Sequence, residues 1–126
     1  MERILVIYDD SRSQQTVRRI LEQAGYDVAI AASDQIAMDV FRATKAGLVI
    51  LDVCLPGKPT QDLCKQIRDK LENVSILVLS PIGDVEDVVL LLKLGADDYI
   101  AKPFNPLEFT ARIRAAMRRR ENYLRT

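Results

Sequence analysis

Leu48-Val49-Ile50-Leu51-Asp52 is an apolar run halted by a carboxylate. Such a run, nearly unbroken and rich in branched side chains, reads as a strand buried on both faces. Three other runs stop in the same way: Ile4-Leu5-Val6-Ile7-Tyr8 before Asp9, Ile76-Leu77-Val78-Leu79 before Ser80, and Tyr99-Ile100-Ala101 before Lys102. If the four runs are neighbouring parallel strands, these polar side chains converge on one rim of one sheet. Two carboxylates, a hydroxyl and an ammonium gathered there make a site for a divalent cation and a phosphoryl group.

Segments of helical period separate the runs. Val17, Ile20, Leu21 and Ala24 mark one face; Ile36, Ala37, Val40 and Phe41 a second; Leu63, Cys64, Ile67 and Leu71 a third; Phe109, Ile113, Ala116 and Met117 a fourth. Gly25, Gly47 and Gly95 each stand just before a strand, where a left-handed residue ends a helix. Asn105-Pro106-Leu107-Glu108 combines an N-cap, a first-turn proline and a reciprocal Glu. The predicted order is β1 3–8, α1 11–24, β2 26–31, α2 33–45, β3 47–52, α3 60–71, β4 75–80, α4 84–94, β5 97–101 and α5 105–120.

Five βα units predict an α/β fold: a doubly wound five-stranded parallel sheet, order 2-1-3-4-5, with five helices on its two faces. Ligands of such sheets bind beyond the carboxyl ends of the strands, where the strand order reverses. Asp9, Asp52, Ser80 and Lys102 all lie at carboxyl ends. At 126 residues the chain reads as one domain over 1–120, with 121–126 the start of a linker or tail.

Composition narrows the chemistry. The 18 basic and 18 acidic residues cancel, so bulk charge gives no reason to expect nucleic-acid binding by this domain. No apolar run approaches the roughly 18 residues that span a membrane, and a cytoplasmic location is expected. Cys54 and Cys64 have no metal-site spacing. The chain contains no histidine, so a phosphohistidine must be supplied from elsewhere.

These features together resemble the receiver domain of two-component response regulators, over Met1 to about Arg120. The strongest stretch is Gly95-Ala96-Asp97-Asp98-Tyr99-Ile100-Ala101-Lys102-Pro103-Phe104, supported by Asp52-Val53-Cys54-Leu55-Pro56-Gly57 and the acidic end of β1. The resemblance implies a flavodoxin-like fold and a phosphoacceptor, Asp52, served by a histidine kinase with Mg²⁺. It implies metal ligation by Asp9, Asp52 and the Cys54 backbone carbonyl, with Asp10 taking part through water. Lys102, aimed by a cis bond to Pro103, would pair with Asp52; Ser80 would donate to the phosphoryl group, and the Tyr99 ring would follow it. Plainer readings stand beside these: Asp10 or Ser11 as the N-cap of α1, Ser80 as a strand end, Tyr99 as a half-buried aromatic.

The chain also departs from the family pattern. Tyr8 stands where the family has an acid, which predicts weaker Mg²⁺ binding. Pro56 and Pro59 stiffen the loop after Asp52, and Lys58 adds charge there. Pro81 follows Ser80 and has no amide N–H to offer a phosphoryl oxygen. A receiver that no longer takes phosphate, acting as a protein-interaction module, is therefore the alternative. A phosphatase would want an acid at Cys54, and a flavin module would be repelled by Asp9 and Asp10.

Helix α4, Asp84 to Leu94, carries apolar residues around most of its circumference, more than one buried face requires. The segments Ala96-Asp97-Asp98-Tyr99 and Ala111-Arg112-Ile113-Arg114 most resemble receivers of winged-helix transcriptional regulators. That resemblance implies a homodimer through an α4–β5–α5 face, here Val88, Leu91, Leu92, Asp97, Asp98, Glu108 and Arg112. Acids of β5 would meet arginines of α5, and Val88 replaces a basic residue usual in that subfamily.

Overall fold

A computed structural model describes residues 3–8, 11–31, 39–40, 42–43, 45–52, 58–70, 73–81 and 85–125. Five parallel strands form a single sheet in the order β2-β1-β3-β4-β5, as expected. They are β1 Arg3–Tyr8, β2 Asp27–Ala31, β3 Leu48–Asp52, β4 Ser75–Pro81 and β5 Asp98–Lys102. Four helices are described in full: α1 Ser11–Gln23, α3 Lys58–Lys70, α4 Val85–Leu94 and α5 Pro106–Arg125. Of the expected α2, residues 39–40 and 42–43 are helical, and most of the rest lies outside the described residues. None of the described helices is long and apolar enough to cross a membrane.

Alternation along each strand divides the core in two. Ile4, Val6, Leu48, Ile50, Leu77, Leu79 and Ile100 face Val17 and Leu21 of α1 and Phe109, Ile113 and Ala116 of α5. Leu5, Ile7, Val49, Leu51, Ile76 and Val78 face Leu63, Cys64 and Ile67 of α3 and Leu91 of α4. With both faces covered, a slip of one residue would exchange the two layers, so the register is firmly specified. Burial also pushes the Cys64 thiol up to about 11, ahead of the opposing pull of Arg68, so it stays protonated at neutral pH.

Helix ends follow from local chemistry. Asn105 caps α5: its Oδ1 accepts from Leu107 N at 2.8 Å and Glu108 N at 3.3 Å. Phe104 and Phe109, with ring centroids 4.8 Å apart, staple the chain entering the helix to its first turns. The reciprocal Glu contact does not form, because Glu108 accepts from Arg112 Nε at 3.1 Å instead. Pro59 belongs to the first turn of α3 rather than to a loop, a place where a missing N–H costs nothing.

Gly25 and Gly95 take positive φ, 96° and 129°. Before β3 the left-handed residue is Lys45 (φ 54°), not Gly47, whose amide already donates to Arg3 O at 3.1 Å. The sheet begins there, so the turn must be completed two residues earlier.

Arg68 of α3 fastens the α4–β5 turn to the start of β4. Its guanidinium donates to Val74 O at 2.8 Å, Gly95 O at 2.9 Å and Asp97 Oδ2 at 2.7 Å. A Cβ on Gly95 would lie 2.6 Å from Arg68 Cβ, whereas one on Gly25 would meet nothing within 4 Å. Gly25→Ala should therefore cost only the backbone penalty, about 1 kcal/mol, and Gly95→Ala roughly 3 kcal/mol, with urea unfolding as the measure.

Candidate functional site

The order reversal falls between β1 and β3, and Asp52 ends β3 beside it. In register, Tyr8 of β1 and Leu79 of β4 flank Asp52, and Ile100 of β5 flanks Leu79. Parallel partners in register share a sheet face, so this row points toward the α1/α5 layer. Lys102 stands two residues beyond Ile100 on the same face, opposite Pro81. Its aliphatic stem reaches back along the rim, and Nζ lies 2.6 Å from Asp52 Oδ1. The approach is that of an ion pair, off the line of a good hydrogen bond.

The Asp52 side chain has no solvent exposure and that of Lys102 only 18%. A carboxylate so placed repels any anion unless positive charge lies at hand, and Lys102 provides it. Ser80 Oγ is fully buried, one residue past the Asp52 row, with no hydrogen-bond partner among the described residues. A buried hydroxyl without an acceptor is costly, and an arriving anion would relieve it. The peptide bond between Lys102 and Pro103 is cis.

Tyr99 packs on the opposite core layer, and its hydroxyl donates to Pro81 O at 2.9 Å. The proline that removes a donor from the rim thus supplies an acceptor to the aromatic. Sequence reading does not find this bond, since nothing in the spacing of Pro81 and Tyr99 specifies it. Asp9, Asp10 and Cys54 lie outside the described residues.

The expected α4–β5–α5 face needs two corrections. Leu91 is 1% exposed and packs with Val78, Ile76 and Cys64 in the core, because it is the inward residue of α4. Asp97 is turned toward α3, where its carboxylate holds Arg68 and accepts from Ile76 N at 2.8 Å. Leu92 is exposed, and Val88 is half-buried in a groove it lines with Tyr99, Phe104, Glu108 and Arg112. Asp98 and Glu108 both bond Arg112 within the chain, at 3.2 and 3.1 Å, and hold its pKa up, Glu108 foremost.

Removing Lys102 would leave a buried carboxylate without that cation. Lys102→Ala should lower stability by about 3 kcal/mol at neutral pH in urea unfolding, against less than about 1 kcal/mol for the exposed pair partner Arg112→Ala.

The sequence model of the response regulator receiver domain matches residues 4–114. A probable transcriptional regulator ycf27 of Porphyridium aerugineum is 43% identical over 122 residues, covering 94% of this chain and 49% of that protein. DNA-binding response regulator MtrA of Mycolicibacterium smegmatis is 40% identical over 121 residues, covering 96% and 53%. The chain thus spans about half the length of the curated relatives it matches. Among solved structures, a CheY-like receiver domain protein of Methanospirillum hungatei superposes with a TM-score of 0.88 at 27% identity, covering 98% of both chains. The BeF3-activated N-terminal receiver domain of Klebsiella pneumoniae RstA superposes with a TM-score of 0.85 at 30% identity, covering 93% of this chain and 99% of that one. Matched along nearly its whole length in sequence and in fold, this chain belongs to the response regulator receiver domain family.

Proposed function

We propose that the chain is a phosphorylation switch in which Asp52 accepts a phosphoryl group from a histidine kinase. The observation that carries this reading is the buried Asp52 carboxylate 2.6 Å from Lys102 Nζ, with the buried hydroxyl of Ser80, which has no hydrogen-bond partner among the described residues, one residue past the Asp52 row. An Asp52 oxygen attacks the phosphorus of the kinase phosphohistidine. The new P–O bond forms as the P–N bond breaks, and the electron pair of that bond stays on the imidazole nitrogen. Lys102 holds an oxygen of the transferred group and offsets its charge, and Ser80 donates to another.

The Asp52 carboxylate that ends β3 offers a hard divalent cation an oxygen ligand. Asp52, Asp9, the Cys54 carbonyl and, through water, Asp10 are the residues that would hold Mg²⁺. Bound there, Mg²⁺ supplies positive charge that screens the carboxylate from the incoming phosphoryl group. Drawing Ser80 and Lys102 toward the dianion biases the α4–β5–α5 face, with Tyr99 following. The proposed consequence is a homodimer through that face and, in a cytoplasmic transcriptional regulator, a change in output; this domain itself touches no nucleic acid. The relatives described as a probable transcriptional regulator and a DNA-binding response regulator support that output.

A second reading, an interaction module that works without phosphate, is favoured by Pro81. It offers the rim no amide, and its carbonyl engages Tyr99. A small-molecule phosphodonor with intact-mass readout separates the two. The switch requires a Mg²⁺-dependent gain of one phosphoryl group that is lost in Asp52→Asn; no gain at any Mg²⁺ concentration would leave only the module. Restoring an acid beside Asp52 by Tyr8→Asp should lower the half-saturating Mg²⁺ concentration of that reaction by about tenfold, since ligand charge count sets affinity.

A further inference from the structure

Asp52 ends its strand at the carboxyl rim, yet its side chain has no solvent exposure. Its neighbours in the row, Tyr8 and Leu79, each stand one strand spacing away, about 4.8 Å, on the same sheet face. Leu79 and, beyond it, Ile100 are buried, whereas Tyr8 is only half-buried. Of these four residues, Tyr8 is therefore the one at which solvent meets the row. The Tyr8 ring is also not spent on the core. Tyr26 and Tyr99 each pack against a core layer, and Tyr8 belongs to neither. A carboxylate in its place would bring a hydration shell to the side of Asp52; a phenol brings an apolar body with one polar tip.

From this placement we infer that the Tyr8 ring shields a phosphoryl group on Asp52 from water and so lengthens its life, a role that rests on the acceptor assignment proposed above. An acyl phosphate is lost when a water oxygen attacks its phosphorus. The P–O bond to Asp52 breaks, its electron pair returns to the carboxylate, and inorganic phosphate leaves as the water gives up a proton to solvent. The entering water needs room beside the phosphoryl group. Leu79 fills the row on the β4 side, and Lys102, with 18% of its side chain exposed, reaches over from β5. Tyr8 closes the β1 side. The chain has no imidazole to activate such a water as a general base. A site that keeps water out protects a reactive intermediate from hydrolysis, and the ring of Tyr8, rather than its hydroxyl, is the part that does so.

Two readouts on the whole chain test this, with wild type, Tyr8→Phe and Tyr8→Ala compared and urea unfolding confirming that each variant folds. In the first, protein loaded from a small-molecule phosphodonor is freed of the donor, held at saturating Mg²⁺, and its phosphoryl group followed by intact mass. Tyr8→Ala should shorten the half-life by about tenfold, and Tyr8→Phe should keep that of the wild type. Equal decay in all three, or Tyr8→Phe decaying like Tyr8→Ala, would overturn the shield. The second needs no phosphorylation: a water-soluble carbodiimide with an added amine, its amide at Asp52 (with the amine or with Lys102) located by peptide mass. Tyr8→Ala should raise the rate at Asp52 several-fold and Tyr8→Phe should leave it unchanged; a rate indifferent to Tyr8→Ala would again overturn the shield. A chain that takes no phosphoryl group yet shows the labelling difference would refute the switch and leave the shield standing.

Discussion

Burying a carboxylate in the middle of a sheet is sustainable only when a cation shares its burial, and Asp52 and Lys102 meet that condition across three strands. The pair constrains much of the molecule. Asp52 must end β3, the most enclosed strand, and Lys102 must end the edge strand β5, two residues beyond the Asp52 row. Any shift of register in β4 or β5 would part the charges and exchange the core layers together. Packing and electrostatics thus select the same alignment, the kind of agreement between levels that makes a sequence specify one fold.

Much of this was legible in the sequence because it depends on short-range pattern. Each apolar run names its own strand, and the polar residue that stops it names the rim. Helical periods of three and four between the runs determine the alternation that a parallel sheet needs. Asn105 reads as a cap because an Asn side chain reaches an amide two residues on, wherever the helix then packs. The pairing of Lys102 with Asp52 was an expectation taken from family resemblance, since no local signal joins residues 50 positions apart.

What escaped the sequence were choices between competing partners. Leu91 and Leu92 are chemically alike, and only the way α4 lies on the sheet sends one inward and the other out. Asp97 and Asp98 are adjacent and equally suited to an arginine. The strand turns them to opposite faces, giving one to Arg68 and the other to Arg112. Glu108 could reach its own cap or Arg112, and it takes the charged donor. In each case tertiary geometry decides between local options of similar energy.

The Arg68 junction lies at the amino ends of β4 and β5, while Asp52, Ser80 and Lys102 lie at the carboxyl ends. A planar guanidinium bonding Val74, Gly95 and Asp97 behaves as a keystone, one that a lysine's single ammonium cannot replace. The two edges of the sheet therefore differ: one holds the architecture shut and the other carries the buried Asp52–Lys102 pair. The carboxyl rim, where Tyr8 and Pro81 stand, can in consequence be recut without loosening the edge on which the fold hangs.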